Sequence, residues 1–124
     1  MITMSKTQII QLHKIMRDAT GGGDGIRDES MIDSALSAPF QTFDNVELYP
    51  SIVAKIARIA YSLVCNHPFV DGNKRIGTYV MLVLLKLNGI EADFSDEDII
   101  RIGLGLASGE MNYSALLEMI LMRI

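Results

Sequence analysis

The sequence predicts an all-α fold, a compact single-domain bundle of about six helices that spans residues 1–124. Apolar residues recur at helical spacing along nearly the whole chain, and capping residues, glycine or proline bound each run. The composition, 49% hydrophobic and 21% charged with three prolines, is that of a globular chain. A length of 124 residues is enough to bury most of the apolar surface in one core.

The first predicted helix begins with a capping box formed by Ser5 and Gln8 and ends at the glycine run 21–23. We interpret segment 20–30, TGGGDGIRDES, as a flexible connection, because it lacks the spacing and terminal Lys-Ser or Lys-Thr of a phosphate-binding loop. The apolar face of this helix is predicted to comprise Ile9, Leu12, Ile15 and Met16.

A short second helix is predicted after Asp28 or Ser30, which can cap it, and Pro39 closes it. Segment 39–50, PFQTFDNVELYP, then carries bulky apolar residues without helical spacing. A packed loop, a short hairpin and a flap that meets a partner chain all remain open for it.

Two strongly apolar helices follow. Pro50 suits the first turn of one of them, which continues to His67. The other begins at Asp71 or Gly72, stops at the Asn-Gly pair 88–89, and is expected to be central and buried on most of its sides.

The last two helices are predicted from Ser95 and from Tyr113. Three acids in the first turn after Ser95 suit the positive end of the helix dipole. The apolar face of the first of these helices is predicted to comprise Ile99, Ile100, Ile102 and Leu104.

Several classes of protein are disfavoured by the sequence. A net charge of −4 argues against direct nucleic-acid binding, and Lys86 interrupts the longest apolar run, so no membrane span is expected. The single cysteine, Cys65, is expected to be a small buried side chain in a reducing compartment rather than a nucleophile. The start of the chain lacks a secretory signal pattern. These observations predict a cytoplasmic protein.

Most of the polar chemistry lies in HPFVDGNKR, residues 67–75, between the two most apolar helices. This position makes it a loop that leads into a helix N-terminus, where free backbone N–H groups bind anions. Lys74 and Arg75 add cations where the helix dipole disfavours them unless an anion is present. His67 suits a general base, because histidine is the residue type most often used in that role, and Asp71 can hold Mg²⁺ together with phosphate oxygens. Phe69 is predicted to plug the core and anchor the loop.

The motif resembles the signature of the Fic-domain superfamily, in its death-on-curing (Doc) toxin branch. Similar landmarks occur before it, in GIRDESMIDSALSAPFQTF, and after it, in LKLNG and LASGE, so the resemblance covers nearly the whole chain. The residues that carry the resemblance are His67, Phe69, Asp71, Gly72, Asn73, Lys74 and Arg75.

The AMP-transferring Fic enzymes carry glycine at the position of residue 74 and arginine at the position of residue 78. The chain departs from that pattern at both positions, which places it nearer to Doc. Here these residues are Lys74 and Thr78. The resemblance implies a Doc-like toxin of a toxin–antitoxin system, a kinase that transfers the γ-phosphoryl of ATP, with Mg²⁺, to a Ser or Thr hydroxyl of elongation factor Tu. An AMP transferase and a catalytically silent binding module remain the alternatives.

The resemblance also implies a role for each residue of the motif. His67 would be the general base and Asp71 would orient the hydroxyl or bind Mg²⁺. The phosphates would be bound by Gly72, Asn73, Lys74 and Arg75.

A partner is implied as well. No internal inhibitory helix with the family's Ser/Thr-to-Glu spacing is present, so a separate antitoxin is expected to fold into a groove lined by segment 39–50 and the first helix. His13 could face that groove, but we interpret it as an ordinary helix-face residue rather than a second base.

Overall fold

A computed structural model describes residues 1–124 and contains six α-helices and one two-stranded hairpin, which confirms the predicted all-α fold. None of the helices combines the length and the apolar surface needed to cross a bilayer. The helices are Lys6–Thr20 (α1), Ser30–Ser37 (α2), Ile52–Asn66 (α3), Asn73–Leu87 (α4), Asp96–Ser108 (α5) and Tyr113–Leu121 (α6).

The helix starts follow their capping residues. Ser5 and Gln8 form the predicted capping box of α1, and Asp28 accepts hydrogen bonds from the backbone N–H and the hydroxyl of Ser30 at the start of α2. The prediction that Pro50 lies in the first turn of α3 is wrong. Ser51 caps α3 instead, since its hydroxyl accepts the N–H of Ala54, and Pro50 therefore precedes the helix.

Helix α3 lies at the centre of the fold, packed against α2, α4, α5 and α6. The expectation that α4 would be the central helix is wrong, because Tyr79 and Leu87 on its outer side are each 46% exposed. Gly77 allows α3 and α4 to approach closely, since a Cβ there would lie 2.5 Å from Val64 Cγ2 and 3.2 Å from the Ala60 carbonyl oxygen.

Two of the predicted apolar faces are narrower in the structure. In α1, Ile9 and Met16 are buried but Ile15 is 65% exposed. In α5, Ile102 is buried, whereas Ile100 and Leu104 are 60% and 53% exposed. These side chains remain outside because the neighbouring helices cover only one stripe of each amphipathic helix.

Segment 39–50 forms a short hairpin, one of the three structures that the sequence left open. Strands Thr42–Phe43 (β1) and Val46–Glu47 (β2) pair antiparallel across a tight turn at Asp44 and Asn45, both with positive φ, after a 3₁₀ turn at Ala38–Phe40.

The hairpin is exposed on both faces, with Phe43 and Val46 at 76% and 67% exposure. Lys55 of α3 holds it in place: its buried ammonium donates to Glu47 Oε1, at 3.1 Å, and to the Tyr49 carbonyl oxygen. This ammonium group fixes the exit strand of the hairpin on α3.

Candidate active site

Phe69 anchors the loop 67–72, which joins α3 to α4. Its side chain is 1% exposed within the main core. The amide of Asn73 holds the Phe69 backbone on both sides, since Oδ1 accepts the Phe69 N–H at 3.0 Å and Nδ2 donates to the Phe69 carbonyl at 2.9 Å. Asn73 is a residue that the sequence assigned to the anion pocket, and its side chain is fully engaged in shaping the loop.

His13 of α1 is also part of this loop's support. It is 4% exposed, its ring stacks on Phe69 with centroids 3.8 Å apart, and Nε2 lies 2.8 Å from the carbonyl oxygen of Asp71. Because that partner is an acceptor, Nε2 carries the proton. The interpretation of His13 as an ordinary helix-face residue is wrong. The signal was its position on the buried stripe between Ile9 and Met16, where an imidazole needs a hydrogen-bond partner.

His67 ends α3 in a left-handed conformation, φ 50°, and its side chain is exposed. Its Nδ1 lies 3.2 Å from the carbonyl oxygen of Cys65. Because a carbonyl only accepts, this bond favours the tautomer with the proton on Nδ1, which leaves the Nε2 lone pair free. In the neutral ring, His67 thus presents Nε2 as an acceptor to solvent at the mouth of the loop.

Asp71 is exposed, and its carboxylate accepts two backbone N–H groups. Oδ2 accepts from Gly23 at 2.9 Å and Oδ1 from Gly72 at 2.8 Å. These bonds, with smaller contributions from Arg75 and His13, hold the pKa of Asp71 below its usual value, so the group is ionised at neutral pH.

The residues present suit Mg²⁺ only as a partner of phosphate. No cluster of three or more His, Cys, Asp or Glu side chains able to hold a metal occurs in the structure. Each carboxylate oxygen of Asp71 accepts one hydrogen bond and keeps further acceptor capacity, which provides a single ligand. Mg²⁺ commonly binds through one or two carboxylates with phosphate oxygens and water, and Asp71 fits that pattern.

The first turn of α4 forms a ready anion site. Gly72 is its N-cap, with φ 80°, and no side chain caps the helix. The backbone N–H groups of Asn73, Lys74 and Arg75 have no acceptor within the chain, because the first N–H bonded at this end is that of Ile76, to the Gly72 carbonyl. The N–H of Gly72 itself is already donated to Asp71. The anion site is therefore formed by the three following N–H groups.

The two cations of the motif differ in their surroundings. Lys74 is exposed, and its ammonium makes no hydrogen bond or salt bridge. Arg75 is partly buried, and its Nη1 donates to Thr20 Oγ1 at 2.6 Å and to the Gly21 carbonyl at 3.3 Å. Arg75 thus ties α4 to the C-terminus of α1, while Lys74 remains available to a phosphate.

The glycine-rich segment after α1 is a docked part of the site, so the prediction of a flexible connection is wrong. Gly23 binds Asp71, and the carbonyl of Gly25 accepts the Val70 N–H at 3.1 Å. Arg27 donates to the carbonyl oxygens at the end of α3, including that of His67.

Glycine is required close to the motif in this segment. Gly22 has φ 110°, and a Cβ there would lie 2.7 Å from Arg75 Nη2 and 3.0 Å from Asp71 Oδ2. A side chain at position 22 would strain the backbone at this φ and would require the Arg75 and Asp71 side chains to shift.

A groove of about 470 Å³ runs from the anion site between α4 and α5. Lys74 and Arg75 lie at one end, and the exposed Ile100 and Leu104 lie along one wall. Thr20, at the end of α1, contributes to it and segment 39–50 does not, so this groove differs from the one predicted to receive an antitoxin.

Cys65 is exposed, and the expectation of a buried thiol is wrong. It occurs in an apolar run, but its position on α3 faces away from the core because the helix turns by about 100° per residue.

Comparison with known proteins agrees with this geometry. A model of the Fic/DOC family matches residues 3–85, which contain α1, the glycine-rich segment and the whole motif. Toxin Doc of Mycolicibacterium smegmatis (strain ATCC 700084 / mc(2)155) is 38% identical over 78 residues, 61% of this chain and 60% of the relative. The match thus spans less than two thirds of that relative's length. Because the family model covers more than half of the chain and includes every residue of the motif loop, the chain belongs to the Fic/DOC family.

Proposed function

We propose that the chain is a Doc-like toxin of a toxin–antitoxin system, acting in the cytoplasm as a protein kinase that transfers the γ-phosphoryl of ATP to a Ser or Thr hydroxyl. One observation carries the proposal. His67, whose Nε2 has no hydrogen-bond partner, lies just before the start of α4, where the first backbone N–H groups and the Lys74 ammonium also have no partner. The similarity to Toxin Doc supports the toxin role.

In the proposed reaction the target hydroxyl oxygen attacks the γ-phosphorus while its proton passes to Nε2 of His67. The bond between the γ-phosphorus and the bridging oxygen breaks, and ADP leaves with that electron pair. The N–H groups of Asn73, Lys74 and Arg75 and the ammonium of Lys74 stabilise the negative charge of the phosphate oxygens.

Asp71 would supply the one protein carboxylate for Mg²⁺. The metal, when bound, would neutralise part of the phosphate charge. The contacts with Gly23 and Gly72 keep the Asp71 carboxylate ionised and oriented for this role.

Elongation factor Tu is the proposed protein target, on the basis of the family resemblance. The proposed antitoxin is an amphipathic segment that folds into the groove between α4 and α5. Exposed Ile100 and Leu104 offer an apolar wall for such a helix, and Lys74 and Arg75 lie at the end where it would cover the anion site.

Two other functions remain to be tested against the kinase. AMP transfer uses the same family pocket, but Lys74 places a long cationic side chain where that reaction has glycine, and Thr78 binds the Lys74 carbonyl instead of providing a second arginine. A silent binding module has no need of a free imidazole nitrogen beside an open anion site.

The deciding experiment is incubation of elongation factor Tu with the protein, Mg²⁺ and ATP labelled separately at the α and γ positions. Transfer of the γ label alone supports the kinase. Transfer of the α label with release of pyrophosphate supports the AMP transferase, and transfer of neither label supports the silent module. Heat-inactivated protein and elongation factor alone serve as controls.

A further inference from the structure

An arginine that lacks an anionic partner lies beside the base of the hairpin. Arg58 of α3 makes no salt bridge and no hydrogen bond, although the chain has 15 acidic residues. Its Nε is buried from solvent without any acceptor, which is an unusual state for a charged donor. Nη1 and Nη2 also lack a partner within the chain but are not buried, so an acceptor from outside the chain can reach them.

Two tyrosine rings flank the guanidinium. Its central carbon lies 5.6 Å from the ring centroid of Tyr49 and 5.5 Å from that of Tyr61, within the range of cation–π attraction. Tyr113 packs edge-on against both rings and donates its hydroxyl to the Ala54 carbonyl oxygen at 3.0 Å. The guanidinium is therefore held in one place before any ligand arrives.

This arrangement limits the ligand that can bind. Because Nε is inaccessible, an anion must approach end-on, through the two terminal nitrogens, Nη1 and Nη2. A planar carboxylate can accept from both of these nitrogens at once.

The hairpin indicates what presents that carboxylate. Tyr49 lies two residues after the exit strand, and Lys55, one helical turn before Arg58, anchors the same strand to α3. Phe43, Val46 and Leu48 of the hairpin segment are 76%, 67% and 50% exposed, an apolar surface that a protein can cover.

We propose that Arg58, flanked by Tyr49 and Tyr61, is a binding site for an Asp or Glu side chain of a protein docked on the hairpin. The site is separate from the anion site of α4 and does not depend on any transfer reaction.

Binding is tested by NMR on the wild-type protein, following the Arg58 Nε–H signal and the ring protons of Tyr49 and Tyr61. The probes are acetyl-Gly-Glu-Gly-amide, its Gln counterpart and inorganic phosphate at matched ionic strength. Saturable shifts of these signals with the Glu peptide alone support the proposal. Shifts with both the Glu peptide and phosphate also support it if the Glu peptide binds more tightly. Equal shifts with the Gln peptide, no shift, or tighter binding of phosphate overturn it.

Two variants and one matched control sharpen the test. Arg58→Gln and Arg58→Lys, followed through the tyrosine rings, are expected to bind the Glu peptide at least about tenfold more weakly, because neither offers two coplanar terminal donors. Arg101→Gln removes an exposed arginine of α5 and should leave binding unchanged. If folded Arg58→Gln binds the Glu peptide as tightly as wild type, the carboxylate binds elsewhere and the proposal is wrong. If that variant does not fold, the wild-type titration decides the question.

Discussion

The imidazole of His13 lies flat on the ring of Phe69, with centroids 3.8 Å apart and planes inclined by 3°, and donates from Nε2 to the Asp71 carbonyl oxygen. This contact joins α1 to the motif loop through the stacked face and the polar edge of the same imidazole ring. Asn73 of α4 holds the same loop through the backbone of Phe69. The loop is therefore supported by two helices, α1 and α4.

His13→Leu tests this support. Leucine fills most of the space but leaves the Asp71 carbonyl without its donor, which we expect to cost about 1–3 kcal/mol of unfolding free energy. Urea denaturation measures the loss. Ile15→Ala, at a position that is 65% exposed on the same helix, should change stability by less than about 0.5 kcal/mol. Equal losses in the two variants would mean that the His13 contact contributes nothing specific.

Replacement of His67 tests the general base. His67→Asn removes the base but tolerates the left-handed backbone at φ 50°, so it separates chemistry from strain. We expect the rate of transfer to fall by about 100-fold to 10,000-fold with an unchanged melting temperature. A folded His67→Asn variant that keeps near-wild-type rates in the labelled-ATP assay would remove His67 from the mechanism.

Lys74→Gly separates the kinase from the AMP transferase. The ammonium of Lys74 is unpaired in the structure, so its removal should suppress γ-phosphoryl transfer while leaving the fold intact. Incubation with α- and γ-labelled ATP measures both reactions at once. The control is Lys86→Ala, which removes an exposed lysine near the other end of α4. Alanine is used there because glycine inside a helix would itself be destabilising. Undiminished γ transfer by the Lys74 variant would contradict its phosphate-binding role.

Gly77→Ala tests the close contact of α3 and α4. The added methyl would lie 2.5 Å from Val64 Cγ2, so overpacking of about 1–3 kcal/mol should outweigh the gain of about 1 kcal/mol in helix propensity. Gly103→Ala is the matched control, because the nearest atom to its Cβ is 3.7 Å away. We expect the control to be neutral or stabilising by up to about 1 kcal/mol in thermal or urea unfolding. A Gly77→Ala variant as stable as its control would show that the helices can separate without cost.

The contact between Asp98 and Arg123 is expected to stabilise the protein at neutral pH but not in acid. Arg123 donates to both of its carboxylate oxygens, at 2.8 and 3.0 Å, and this contact, with the N–H of Ser95, holds the pKa of Asp98 well below its usual value. A lowered folded-state pKa stabilises the protein above the unfolded-state value of about 3.9, and that contribution is lost as the pH falls further.

Asp98→Asn should therefore melt at a lower temperature than wild type at neutral pH, and the difference should shrink below about pH 4. Asp96→Asn, an exposed acid in the same first turn, is the control. A difference between wild type and Asp98→Asn that is constant from neutral to acidic pH would contradict the assigned cause.

Much of the secondary structure was predictable because its signals are local. Ser5 with Gln8 marked the start of α1 and Ser95 that of α5, each through groups only a few residues apart. The two positive-φ residues of the hairpin turn, Asp44 and Asn45, belong to residue types that favour such turns, yet the exposed strands carried too few apolar positions to decide between a hairpin and a loop.

The motif itself was determined by the sequence, since nine neighbouring residues, 67–75, carry a base, an acid, two cations and a helix start. Only the tertiary structure decided which of these groups are free. Asn73 is engaged by Phe69, Arg75 by Thr20, and the Asp71 carboxylate by Gly23, whereas the His67 Nε2 and the Lys74 ammonium remain open. The physical reason is that caps and turns depend on nearby residues, while the hydrogen bonds between the motif and residues 13, 20 and 23 join positions about fifty residues apart. Only the packing of α1 against α4 brings these positions together.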